Sequence, residues 1–129
     1  MILLLDTQAF IWFVENDKQL SEGIKLELED LNNQIVISIA SLWEMTIKMS
    51  LGKLQLTCDM INMIDKIHNN GFEILPILTE HLIKLGTLEY LHRDPFDRII
   101  IAQGLCENIP IVSSDKVFDQ YGINRRWHK

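Results

Sequence analysis

Four acids, Asp6, Glu44, Asp97 and Asp115, have the residue type and the placement to hold a divalent cation between them. Asp6 directly follows the apolar run Ile2 to Leu5. Glu44 falls in the first turns of an amphipathic stretch, Asp97 just inside a D-P helix start, and Asp115 two residues after the end of the apolar P-I-V-S. Carboxylates gathered in one place repel, and burial raises their pKa values further. A bound cation removes that conflict. Hard oxygen ligands with no His or Cys alongside suit Mg²⁺ or Mn²⁺ rather than zinc. Each acid taken singly also has an ordinary role. Asp6 can cap a helix, Glu44 can complete a capping box with Ser41 or pair with Lys48, Asp97 can answer a helix dipole, and Asp115 can make an Asx-turn. The chemistry therefore depends on whether the elements bring the four together.

Ile2–Leu5 reads as a central strand covered on both faces, followed by a short buried helix from Thr7 to Val14. Ser21 caps an amphipathic helix with Leu20, Ile24, Leu28 and Leu31 on one face. Ile35–Ile37 is a second strand. A helix then starts from Ser38 or Ser41 and stops at Gly52. A fourth helix runs from about Thr57 to Asn69, with Met60, Ile61, Ile64 and Ile67 on one side, before the turn Asn69-Asn70-Gly71. Phe72–Leu75 is the third strand, closed by Pro76. Thr79 caps a helix reaching Leu91, with a break at Gly86. Asp94 and Pro95 start the most apolar helix, in which Ile99, Ile100, Ile101, Ala102, Leu105 and Cys106 are expected to be buried. Pro110–Ser113 is a fourth strand. Strands alternating with helices imply right-handed parallel β-α-β units. The expected fold is a three-layer α/β/α sandwich around a parallel sheet of four to five strands. In such a sheet the strand carboxyl ends and the helix N-termini share one edge, where ligands bind. All four acids belong there.

The chain has 129 residues, 47% of them hydrophobic, which suits one domain spanning 1–129 with a proper core. No basic leader precedes the first strand and no apolar run approaches membrane-spanning length, so neither a signal peptide nor a membrane anchor is expected. Cys58 and Cys106 read as core thiols in a reducing cytoplasm. The net charge of −6 argues against general nucleic-acid binding. It leaves room for an enzyme whose acids are gathered in one cleft with basic residues on its rim.

Four blocks of sequence carry a family resemblance: L-L-D-T, S-x-x-S-L-W-E-x-x-I-K-x-x-x-G-K-L, H-R-D-P-F-D-R-x-x-I-A-Q and I-V-S-S-D-K-x-F-x-x-Y. In this order and spacing the chain resembles the PIN-domain ribonucleases, and more narrowly the VapC-type toxins of bacterial toxin–antitoxin pairs. The resemblance covers essentially the whole chain. It implies that Asp6, Glu44, Asp97 and Asp115 form an acidic quartet binding one or two Mg²⁺ or Mn²⁺ ions. It also implies that Ser113 and Thr7 support the last and first acids. The implied activity is RNA cleavage by metal-activated water, leaving 5′-phosphate and 3′-hydroxyl ends. A homodimer and a cognate antitoxin lying across the cleft are the implied partners. Gln8 departs from the family, whose close relatives often carry His there, and Asp94 and Asp119 are extra acids. Asp97 is preferred to Asp94 for its spacing to I-A-Q, with Asp94 as a supporting group.

Lys48, Arg93 and Arg98 are candidate RNA contacts, and Lys53, Arg125 and Arg126 could add phosphate contacts. A solvated charged surface is the alternative for each. His92 can approach the site; His68, His81 and His128 read as surface or core. No His is assigned as a general base, because metal-activated water does not need one. Trp12 and Trp43 can stack on bases or serve packing and a partner interface. Two other functions fit the pattern less fully. One is a PIN-type nuclease for RNA maturation or DNA. The other is a non-catalytic Mg²⁺-binding signalling module, such as a phosphoacceptor receiver, which would need a Lys beyond a late strand that this sequence does not place.

Overall fold

The computed structural model describes all residues 1–129. Five parallel strands, β1 (Ile2–Leu5), β2 (Gln34–Ser38), β3 (Glu73–Leu75), β4 (Ile111–Val112) and β5 (Arg125–Arg126), lie in the order β3-β2-β1-β4-β5. The helices are α1 (Thr7–Val14), α2 (Glu22–Glu29), α3 (Ile39–Ser50), α4 (Met60–Asn69), α5 (Thr79–Thr87) and α6 (Pro95–Glu107), and a 3₁₀ helix spans Lys116–Tyr121. This is the expected α/β/α sandwich, and the tail supplies its fifth strand. The strand order reverses between β1 and β4, so the crevice for a ligand opens beyond the carboxyl ends of those two.

Side chains alternate across each strand, and this sorts the core into two halves. Leu3, Leu5, Ile35 and Ile37 point to one face and pack with Phe10, Ile24, Leu28, Met45, Met63 and Ile67. Leu4, Val36 and Ile111 point to the other and pack with Ile99–Ala102 of α6 and with Phe118. Gly104 is needed for that second layer: a Cβ there would sit 2.6 Å from Ile111 Cδ1. Its absence lets α6 lie directly on β4.

Several sequence expectations are corrected. Leu31 is 98% exposed, because α2 ends at Glu29 and the Asp30–Asn33 turn carries it into solvent. On α4 the buried pair is Met63 and Ile67, and Ile61, roughly half a turn from Met63, is exposed. That helix starts at Met60, capped by Asp59, while Thr57 is bound to Glu15 instead. Ser38 caps α3, so Ser41 and Glu44 form no capping box. Thr79 is the first residue of α5 rather than its cap. The ring of His81, fully buried, accepts the Leu78 N–H at 3.0 Å in its place. That helix stops at Thr87, short of Leu91. Cys106 is exposed in the last turn of α6, which emerges from the core, so it is not a core thiol, while Cys58 is half-buried against the first core cluster; both are free. No helix is long and apolar enough to cross a membrane.

Candidate active site

All four acids meet in one cleft of about 440 Å³ at the crevice between β1 and β4, joined there by Asp94, Lys48 and Lys53. The elements place them by the same device used several times: one carboxylate oxygen caps a helix and the other is left uncommitted to that helix. Asp6 Oδ1 accepts the Ala9 N–H of α1 at 2.7 Å. Asp94 Oδ1 caps α6 by accepting from Phe96 and Asp97 at 2.8 and 3.2 Å, and Pro95 follows as its first residue. Asp115 Oδ1 caps the 3₁₀ helix through the Val117 N–H at 3.0 Å. Asp97 stands in the first turn of α6, where the helix dipole favours a negative charge. Glu44 projects from the second turn of α3 and is 4% exposed. Its Oε2 takes Lys48 Nζ at 2.6 Å, while its Oε1 is buried without any hydrogen-bond partner.

The electrostatics follow from this crowding. Burial pushes Asp97 up to about 8, and the neighbouring charges of Asp94, Asp6, Glu44 and Asp115 push the same way. Asp6 is raised to about 6, chiefly by burial, against the hydrogen bonds from Ser113 and the Ala9 N–H that favour its ionised form. Ser113, fully buried, also accepts the Asp115 N–H at 3.0 Å, so it steadies the first acid and the last together. Thr7 Oγ1 donates to Ser41 Oγ at 2.9 Å and ties α1 to α3, which holds Asp6 and Glu44 in register. Lys48 is raised by its bond to Glu44, the nearest compensating cation. A buried acceptor atom with no partner, in a crowd of carboxylates that raises Asp6 and Asp97, is a donor set suited to a hard divalent cation.

A family model, described as the PIN domain, matches residues 3–124. The chain belongs to the PIN domain family. Three solved structures are similar in shape. VapBC2 from Rickettsia felis, bound to a promoter DNA fragment, aligns with a TM-score of 0.74 at 22% identity over 98% of both chains. DNA-bound VapBC from Salmonella typhimurium gives 0.72 at 18% identity over 98% of this chain and 97% of that one. A toxin–antitoxin complex from Klebsiella pneumoniae gives 0.60 at 18% over 90% and 89%. At these identities the likeness is one of fold. No curated protein matches the sequence.

Within this PIN domain the basic candidates divide. Lys48 and Lys53 line the cleft, and Arg93 is exposed and precedes Asp94 in the chain but does not line the cleft. Arg98 turns away: it donates to the Leu88 carbonyl at 3.1 Å and lies 4.7 Å over the Tyr90 ring, so it braces the α5–α6 connection. Arg125 pairs with Asp119 and donates to the Ser113 carbonyl, and Arg126 pairs with Glu27; both serve the fold, and Asp119 stays outside the cleft. Trp12 packs against Trp127, with ring centres 6.0 Å apart. Trp43, 57% exposed, meets Phe96 edge-on at 5.0 Å. The residue that sequence reading undervalued is His92. Its Nε2 lies 2.9 Å from Asp97 Oδ2 and 3.3 Å from Asp115 Oδ2, so a His does stand alongside the gathered acids. Its place two residues before the Asp94 cap was the available clue.

Proposed function

We propose that the protein is a metal-dependent endoribonuclease acting as the toxin of a toxin–antitoxin pair. PIN domains are nucleases that in general use divalent metals. The observation that carries the reading to this chain is Glu44 Oε1, buried and unpartnered in a cleft where Asp97 is pushed up to about 8. Asp6, Glu44, Asp97 and Asp115 are the residues that would hold Mg²⁺ or Mn²⁺, and Asp94 keeps Asp97 in place by starting α6. Bound there, the ion supplies a more acidic water for attack on the phosphodiester and stabilises the charge developing on the leaving oxygen. The chain's own groups do the rest. Thr7 and Ser113 fix the acids, and Lys48 and Lys53 offer ammonium groups to an RNA backbone that the net charge of −6 would otherwise repel. Arg93 extends that positive rim.

The similar structures named VapBC and toxin–antitoxin complex favour an antitoxin as the physiological partner. A homodimer and a cytoplasmic site of action complete the proposal. Purified protein should cleave RNA with Mg²⁺ or Mn²⁺ and stop on addition of EDTA; cleavage that survives EDTA excludes the metal mechanism. Induced alone in bacteria, it should arrest growth and leave cut RNA. Normal growth with intact tRNA and rRNA would remove the toxin role and keep the nuclease.

A further inference from the structure

We propose that His92 is a positioning residue, which holds Asp97 and Asp115 at a fixed separation through its Nε2–H and does not itself ligate the cation. The inference rests on the metal-site reading above and adds a residue to it.

His92 sits in a triad whose candidate ligand atoms, with Asp97 and Asp115, all lie within 4.8 Å of one another. Distance alone would therefore admit it as a ligand. Its hydrogen bonding decides otherwise. The Asp94 backbone N–H donates to His92 Nδ1 at 3.2 Å, so the lone pair of the neutral ring is on Nδ1 and the proton is on Nε2. A histidine that binds metal presents a ring lone pair to the ion and donates its other N–H to a carboxylate or carbonyl. Here the nitrogen facing the acids carries the hydrogen, and the nitrogen facing away is already an acceptor. Nε2 is buried and aligned on neither carboxylate, at 2.9 Å from one and 3.3 Å from the other. Nε2 makes no aligned hydrogen bond to either, yet the positive end of its N–H dipole lies within ion-pair distance of two groups that would otherwise repel.

The ring has no freedom to take another role. Its edge packs on Phe118 at 6.0 Å between centres, at an angle of 69°. The backbone leading into His92 is fixed by Tyr121, whose hydroxyl accepts from the N–H groups of Leu91 and His92 at 3.0 and 2.8 Å and donates to the Glu89 carbonyl at 2.9 Å. Phe118 and Tyr121 belong to the 3₁₀ helix that Asp115 caps. One short element thereby sets both Asp115 and the histidine that reaches across to Asp97.

The test uses the full chain loaded with Mn²⁺ alone, without RNA, and reads two quantities. The first is the ¹⁴N coupling of bound Mn²⁺ in pulsed electron paramagnetic resonance. The second is the Mn²⁺ dissociation constant by calorimetry. Wild type should bind Mn²⁺ with no coupling from a coordinated imidazole nitrogen. His92→Phe, which keeps a ring against Phe118 and removes the donor, should weaken Mn²⁺ binding by about 10–100-fold, the range for losing a group that orients a ligand. His92→Gln, which returns an N–H donor, should recover most of that loss. A coordinated-nitrogen signal in wild type would show a ligand and overturn the inference while leaving the metal site standing. Equal affinities in all three proteins would also overturn it. Failure of wild type to bind Mn²⁺ would instead defeat the metal-site reading, and this inference with it.

Discussion

Glu27 and Asp97 are both carboxylates on the rim of the sheet, and their surroundings push them in opposite directions. Glu27, on α2, takes both its oxygens to Arg126 Nε at 2.8 and 2.9 Å and a further bond from the same guanidinium, with His128 Nε2 at 3.1 Å. A guanidinium faces the acid there, and its pKa is lowered, first by the Arg126 hydrogen bonds. Asp97 has five acids in its cleft, counting itself, and one paired lysine, and its pKa is raised to about 8. The first arrangement closes the tail strand β5 and its following residues onto α2 and is satisfied as it stands. The second is left short of positive charge, a deficit that the proposed cation would relieve. A similar contrast separates the two His-containing clusters. His81 reaches Glu107 at 3.0 Å between Nε2 and Oε1 and caps α5 with its other nitrogen, whereas His92 faces two acids at once.

Substitution breaks the comparison most sharply. Asp97→Asn should lower RNA cleavage by roughly 10²–10³-fold or more, the scale for removing one preorganised electrostatic group. At pH 8 and without metal it should leave the fold as stable as wild type or more so, because a buried, crowded charge has gone. Glu27→Gln should do the reverse, with cleavage unchanged and the melting temperature lower. Next in size is the response to ions. Saturating Mg²⁺ at about 100 times its dissociation constant should stabilise wild type by about 2.7 kcal/mol in thermal unfolding. The gain should persist in Glu27→Gln and shrink or vanish in Asp97→Asn; an equal gain in all three would move the ion elsewhere.

The pH dependence then has opposite signs at the two places. Asp6 and Asp97 have folded pKa values of about 6 and about 8 against an ordinary 3.8. Between pH 4 and 8 the folded chain therefore binds more protons than the unfolded one at these residues, and their contribution to stability falls as pH rises. Glu27, lowered from 4.5, contributes stability that is present above its unfolded value and lost as pH falls through its folded one. Metal-free protein should melt a few degrees lower at pH 8 than at pH 5, a slope that Asp97→Asn flattens and Glu27→Gln preserves. The smallest effect is the clasp itself. Its carboxylate and guanidinium are partly exposed, so Glu27→Gln should cost about 1 kcal/mol by thermal or urea unfolding.

The sheet and the gathering of four acids at one edge were legible because their signals are local. The run Leu3-Leu4-Leu5 before Asp6, the D-P start of α6, and Gly52 after α3 each reflect a backbone requirement of neighbouring residues. Helix polarity then implies that four acids share one edge. What misled was equally local. An apolar stripe counted past the true end of α2 made Leu31 look buried, and a charge count on the rim made Arg98 and Arg126 look free.

The sequence by itself determined the order of elements, the strand-end placement of Asp6, Glu44, Asp97 and Asp115, and the cap that starts α6, since all of these depend on spacing along the chain. Only the tertiary structure decided that Glu44 keeps one oxygen unpartnered, that Arg126 is consumed by Glu27 and that His92 stands between Asp97 and Asp115. Each of these joins residues through space, and which charge is satisfied depends on neighbours that the chain brings up only when it is folded.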